Sequence, residues 1–150
     1  MIFQRFMKII KYLIQFIIIC IFYVIFKIIG VRLSSFLSGK LFEIIGPIFR
    51  SKKIINSNIK KAFPDYNSKE INKIGSSMWN NYGRVFAEYL YMKNFRNGSL
   101  SKNISIDGKD ILLNIKDQNQ RVIFISGHFS NFELMAMQID KLGIKIGRNL

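Results

Sequence analysis

From Tyr12 to Phe26 the chain runs fifteen residues without a charge, mostly Ile, Phe, Leu and Val. Such a stretch leaves water on folding, into either a protein core or a bilayer. As a helix, fifteen residues rise about 22 Å, short of a hydrocarbon core of roughly 30 Å. Lys27 interrupts the run, and Ile28, Ile29, Gly30 and Val31 carry it on to Arg32. If Lys27 extends its ammonium to the interface, the span reaches about twenty residues and becomes sufficient. The competing readings are a signal peptide and a buried core helix. The basic start Arg5, Lys8 and Lys11 suits a signal peptide, but Ser34 and Ser38 are a weak cleavage pair. We read residues 1–32 as a retained membrane anchor.

Charge supports this division. Residues 1–61 hold eleven Lys/Arg and one acid, Glu43, whereas the other 89 hold twelve bases and eight acids. The formal net charge of +14 is therefore concentrated beside the apolar segment, in a chain that is 49% hydrophobic. That pairing fits contact with anionic membrane lipid. It does not fit nucleic-acid binding, since no recognised binding motif interleaves the bases. Bases flank the apolar run at both ends, so positive-inside bias nearly cancels until Arg50, Lys52 and Lys53 are counted. These favour a cytoplasmic C-terminal side. The single Cys20 excludes an internal disulfide, and the single His128 excludes a histidine-cluster metal site.

Phe36, Leu37, Leu41, Ile44, Ile45 and Ile48 recur at helical spacing before Gly46–Pro47 and the basic cluster Arg50–Lys53. With Ile54 to Phe63 they make residues 33–66 a pair of amphipathic helices. The first suits the membrane interface or a protein core equally. Pro64–Asp65 ends the second. Asn67 or Ser68 can cap a long helix whose apolar stripe is Ile71, Ile74, Met78, Tyr82, Val85, Tyr89 and Met92, closed by Gly98.

The remainder of 67–150 reads as an α/β domain. Asn103–Ile106 alternates as a short strand, Asp107–Gly108 turns, and Lys109–Lys116 is a brief helix with Ile111, Leu112 and Ile115 inward. Arg121–Ser126 is a β-rich run suited to a strand buried on both faces. Asn131–Leu142 is a helix ended by Gly143, and Ile144–Ile146 begins another strand. Strand, helix and strand of these lengths form a βαβ unit.

One segment carries chemistry: Ser126-Gly127-His128-Phe129-Ser130-Asn131-Phe132-Glu133, at the carboxyl end of the predicted buried strand. Imidazole titrates near cellular pH, so a histidine in that turn can accept a proton. On one continuous helix His128 and Glu133 would lie roughly 140° apart. A helix starting at Asn131 would instead let the loop fold the ring back to the carboxylate. The structural alternative is that Ser130-x-x-Glu133 is a capping box and His128 a surface residue. Cys20, inside the apolar segment, is a poor nucleophile, because burial disfavours thiolate.

The His128-x4-Glu133 string after a hydrophobic strand resembles the His-x4-Asp/Glu motif of lysophospholipid-type acyltransferases. More narrowly, it resembles the late acyltransferases of lipid A biosynthesis, the lauroyl/myristoyl transferases. Asn58, Phe63-Pro64, Ser68-x-Glu70, Trp79-Asn80-Asn81-Tyr82-Gly83-Arg84 with Glu88, and Gly108 extend the likeness over nearly the whole chain. Ser130 replaces a usual Gly and Phe132 a usual Trp. The resemblance implies that His128 deprotonates a hydroxyl of a lipid A precursor. That oxygen attacks an acyl carrier protein thioester, while Glu133 orients the ring. It implies neither metal nor cofactor, and a place in the bacterial inner membrane with the active site cytoplasmic. It also implies that residues 67–150 are the N-terminal part of a longer domain, its activity alone in question. The alternatives are acyl transfer to a lysophospholipid or a glycosylated phosphatidylinositol, and a basic membrane adaptor without catalysis. Arg84 and Glu88, one helical turn apart, are read as a structural ion pair.

Overall fold

The computed structural model describes residues 2–145 and 147, which divide into two compact units at Leu90/Tyr91. The apolar N-terminus and the stretch after it form one long helix, α1 (Ile2–Phe49), broken internally at Gly30. Gly30 has φ 80° and ψ 164°, backbone that is essentially confined to glycine. A break leaves helical carbonyls short of their in-line donors. The Ser34 hydroxyl supplies one, 2.9 Å from the Phe26 carbonyl and 2.7 Å from that of Gly30. Before the break the helix is exposed on nearly every side, as a lipid-facing span is. Near its end Phe26 is buried, and Lys27 donates to the Leu90 carbonyl at 2.7 Å, its ammonium lying over the Tyr23 ring. This protein carbonyl holds the cation that sequence alone would extend toward the interface.

After Gly30, α1 packs along α3 (Ser68–Glu88), and the seam is made of small residues. Ser34, Ser35 and Ser38 are buried on α1, as are Gly75, Gly83 and Ala87 on α3. A Cβ at Gly83 would meet the Ser38 carbonyl and lie 2.8 Å from the Phe42 Cβ, and one at Gly46 would enter the Trp79 ring. The backbones approach as closely as glycine permits, the packing mode of helices in membranes. Polar links span the seam. Ser35 donates to Glu88 at 2.9 Å, and Asn80 donates to Glu43 at 2.8 Å.

The α3 face follows the expected apolar stripe in part. Of its residues Ile71 is buried and Ile74, Met78, Val85 and Met92 are half-buried, but Tyr82 and Tyr89 are 57% and 47% exposed, and the buried row of α3 is Ile71, Gly75, Gly83 and Ala87. Close approach selected the small residues over the large ones. The start of α3 follows expectation. Asn67 accepts from the Lys69 and Glu70 amides, and Glu70 accepts from the Asn67 amide at 2.7 Å, a complete capping box. Between α1 and α3, α2 (Lys52–Ala62) seats buried Ile55 over Gly75 and ends before Pro64.

In the second unit, after a 3-10 turn (Tyr89–Tyr91), α4 (Met92–Asn97) ends at Gly98. It packs on α6 (Glu133–Lys141), whose Ile139 is buried. Arg96 pairs with Asp140 at 2.6 Å, and Lys141 donates to the Arg96 carbonyl at 2.5 Å. These pairs are exposed, so each contributes little, about 0–1 kcal/mol. Both α5 (Lys109–Asp117) and α6 stop in Schellman turns. Asn119 (φ 48°) and Gly143 (φ 86°) take the left-handed position. Leu112 and Ile115 of α5 are half-buried, but Ile111 is 61% exposed.

The α/β expectation fails. No strand forms among the described residues, and every regular element is helical. Residues 101–103 are a 3-10 turn, and 104–106 are irregular. Arg121–Ser126 pairs with no strand among the described residues, and Ile123 and Ile125 are 90% and 94% exposed. A strand exists only through a ladder of interstrand hydrogen bonds, and β propensity without a neighbour cannot supply one. Of the further strand expected at 144–146, Ile144 and Lys145 are irregular, and Ile146 lies outside the described residues.

Candidate active site

The His128 segment lies wholly in the second unit, between the exposed run 121–126 and α6. The exposed Phe129 ring lies over Gly127, where a Cβ would push it aside. His128 is exposed, and its imidazole meets the Phe132 ring edge-on at 4.1 Å between centroids. The aromatic contact fixes the ring from one side and leaves the rest of the imidazole open to solvent. Ser130 follows with φ 46°, a left-handed conformation unusual for a residue with a Cβ. Glu133 is the first residue of α6 and is half-buried. A carboxylate there is favoured by the helix dipole.

This geometry removes one structural alternative. The residue preceding α6 is Phe132, and it makes no side-chain cap bond, so Ser130-x-x-Glu133 is not a capping box. The helix begins at Glu133, two residues later than expected, which puts His128 and Glu133 on different elements. The 140° separation on a common helix therefore does not apply.

Beside α6 is a cavity of about 540 Å³ lined mainly by apolar side chains, among them Ile106, Ile111, Phe124, Leu134, Met135 and Ile139. Its size falls in the range of small-molecule clefts. The sequence places Ile106 in a short alternating strand and Phe124 in one buried on both faces, so their apolar character is legible but not the space they enclose. A smaller cavity of about 280 Å³ in the first unit has Glu43, Lys52, Asn72 and Trp79 in its wall.

Several of the residues from Trp79 to Glu88 serve the α1/α3 seam. Trp79 lies against Gly46, Asn80 bridges to Glu43, and Arg84 Nε donates to Asn80 at 2.7 Å. Glu43 also accepts from Lys40 at 2.9 Å. Glu88, expected to pair with Arg84, is engaged across the seam by Ser35.

Compared with known families, residues 1–148 match the bacterial lipid A biosynthesis acyltransferases. The chain belongs to this family. No curated protein and no solved structure matches it. As a lipid A acyltransferase family member, the protein carries one long apolar N-terminal helix, consistent with a membrane anchor. The left-handed Ser130 occupies the position where sequence resemblance points to a usual glycine. Ser130→Gly should therefore relieve backbone strain in this acyltransferase family member, raising stability by about 1 kcal/mol or less once the entropy of glycine is set against it. Urea unfolding in detergent would measure the gain, and a loss of stability would contradict it.

Proposed function

We propose that the protein transfers a fatty acyl chain from an acyl carrier protein thioester to a hydroxyl of a lipid A precursor at the inner membrane. The family match over residues 1–148 carries this reading. His128 acts as general base and Glu133 orients its ring. The accessible imidazole and the carboxylate at the start of α6 support these roles.

In the proposed reaction, His128 accepts the hydroxyl proton as the oxygen attacks the thioester carbon. The carbon–sulfur bond then breaks, and the carrier thiolate leaves and takes up the proton. The product is an ester, and neither an acyl-enzyme nor an electron acceptor is needed. The apolar cavity beside α6 would accept a hydrocarbon chain. The basic N-terminal half suits both an acidic carrier protein and a phosphorylated lipid.

The test uses membranes from cells expressing the protein from its own reading frame, supplied with acyl carrier protein thioester and lipid A precursor. Mass spectrometry should show the precursor gaining one acyl chain. Acylation of a lysophospholipid or a glycosylated phosphatidylinositol instead would replace this substrate assignment. No acylation of any of them would favour a non-catalytic membrane adaptor.

A further inference from the structure

Beyond Gly30, α1 is inverted relative to a helix built for water. The face it buries against α3 holds Ser34, Ser35, Ser38, Gly39 and Gly46, with exposures of 0%, 6% and 1% for the three serines. The opposite face is open and mainly apolar, with Lys40 on it between Leu37 and Ile44. Leu33, Leu37, Ile44 and Ile48 follow one another in steps of four, seven and four and are 48%, 45%, 74% and 81% exposed. At 100° per residue those steps keep all four on one stripe. In water the sides would be exchanged, with serines outside and leucines in the seam.

Two further observations identify what covers the stripe. It continues, past the Gly30 break, a helix whose preceding part has the length and composition of a membrane anchor. It also carries bases: Lys40 within it, paired with Glu43 at 2.9 Å, Arg32 beside it, and Arg50, Lys52 and Lys53 at its end, with Glu43 the single acid. A mainly apolar stripe set among cations matches the boundary between acyl chains and anionic headgroups.

We infer that the Leu33–Leu37–Ile44–Ile48 face of α1 is embedded in the headgroup–acyl boundary of an anionic bilayer, making the α1/α3 helix pair itself a membrane-seated element. The bilayer contact then extends well beyond the N-terminal anchor. This inference does not depend on the reaction proposed above, and it would stand if the protein acylated nothing.

The test uses the full chain with Cys20→Ser, so that one introduced cysteine carries an environment-sensitive fluorophore. Probes are placed at Ile44→Cys on the stripe and at Lys69→Cys, an exposed polar position on α3. The protein is reconstituted in vesicles of phosphatidylglycerol and phosphatidylethanolamine. At position 44 the expected result is at least twofold stronger quenching by a shallow spin-labelled lipid than by aqueous iodide, with the order reversed at position 69. Neutral phosphatidylcholine vesicles should weaken the lipid quenching at 44. Iodide quenching at 44 equal to that at 69 would overturn the inference. So would protection from both quenchers, which would mean that a second copy or another part of the protein covers the stripe. Undiminished lipid quenching in neutral vesicles would overturn the anionic component.

Discussion

Replacing His128 by alanine is expected to lower acyl transfer by about 10²- to 10⁴-fold, the contribution of a positioned general base. The effect should fall on kcat, because the imidazole acts on the proton in flight and adds little to substrate affinity. Folding should barely change. His128 is exposed, and its ring contact with Phe132 contributes at most about 1 kcal/mol. Glu133→Gln preserves shape while removing charge, and should give a smaller loss in kcat. If Glu133 served only α6, its loss would cost about 0.3–1 kcal/mol of stability through the helix dipole and leave turnover intact. Full activity in His128→Ala would end the assignment of the base.

Gly83→Leu is expected to split the helix pair. A side chain there must displace the Ser38 carbonyl and the Phe42 Cβ, both set by the α1 backbone. Overpacking typically costs about 1–3 kcal/mol, and here no flexible tip can yield, so about 3 kcal/mol is the expected loss. Against a total stability of about 5–15 kcal/mol, that is a large fraction. The thermal midpoint in detergent should drop sharply. Tyr82→Ala, one residue away, is the control. Tyr82 is 57% exposed, and surface changes of that kind stay within about 0.5 kcal/mol. Equal destabilisation by both variants would mean that the apolar stripe, and not the small-residue row, makes the seam.

That contrast marks where sequence was informative. Local signals were accurate. Asn67, one of two candidate caps, opens α3, Pro64 ends α2, and Gly143 ends α6, because each is settled by chemistry within one turn of helix. Signals that depend on a distant partner misled. The apolar period in α3 pointed to Tyr82 and Tyr89, because hydrophobicity marks what leaves water without telling a protein seam from a lipid face. The glycines that select the seam, Gly75 and Gly83, carry no hydrophobic weight; Gly83 is legible only as part of a family pattern, and Gly75 not at all. Arg121–Ser126 had strand composition, but pairing is a property of two segments, and no partner strand stands beside it among the described residues. In the site, Gly127, His128 and Glu133 were legible as a string. The left-handed Ser130 and the late start of α6 were not, since both are set by backbone angles that Ser and Phe do not advertise.

The Gly30 break has a mechanical consequence. A glycine turn alone would act as a swivel, but this one is braced on both sides. Lys27 is fastened to the Leu90 carbonyl before it, and Ser34 to the Phe26 and Gly30 carbonyls across it. A braced corner transmits torque. A spanning helix tilts when the thickness of its bilayer changes. Were the N-terminal helix to span the bilayer, that tilt would pass through this bracket into the pitch of the α1/α3 pair.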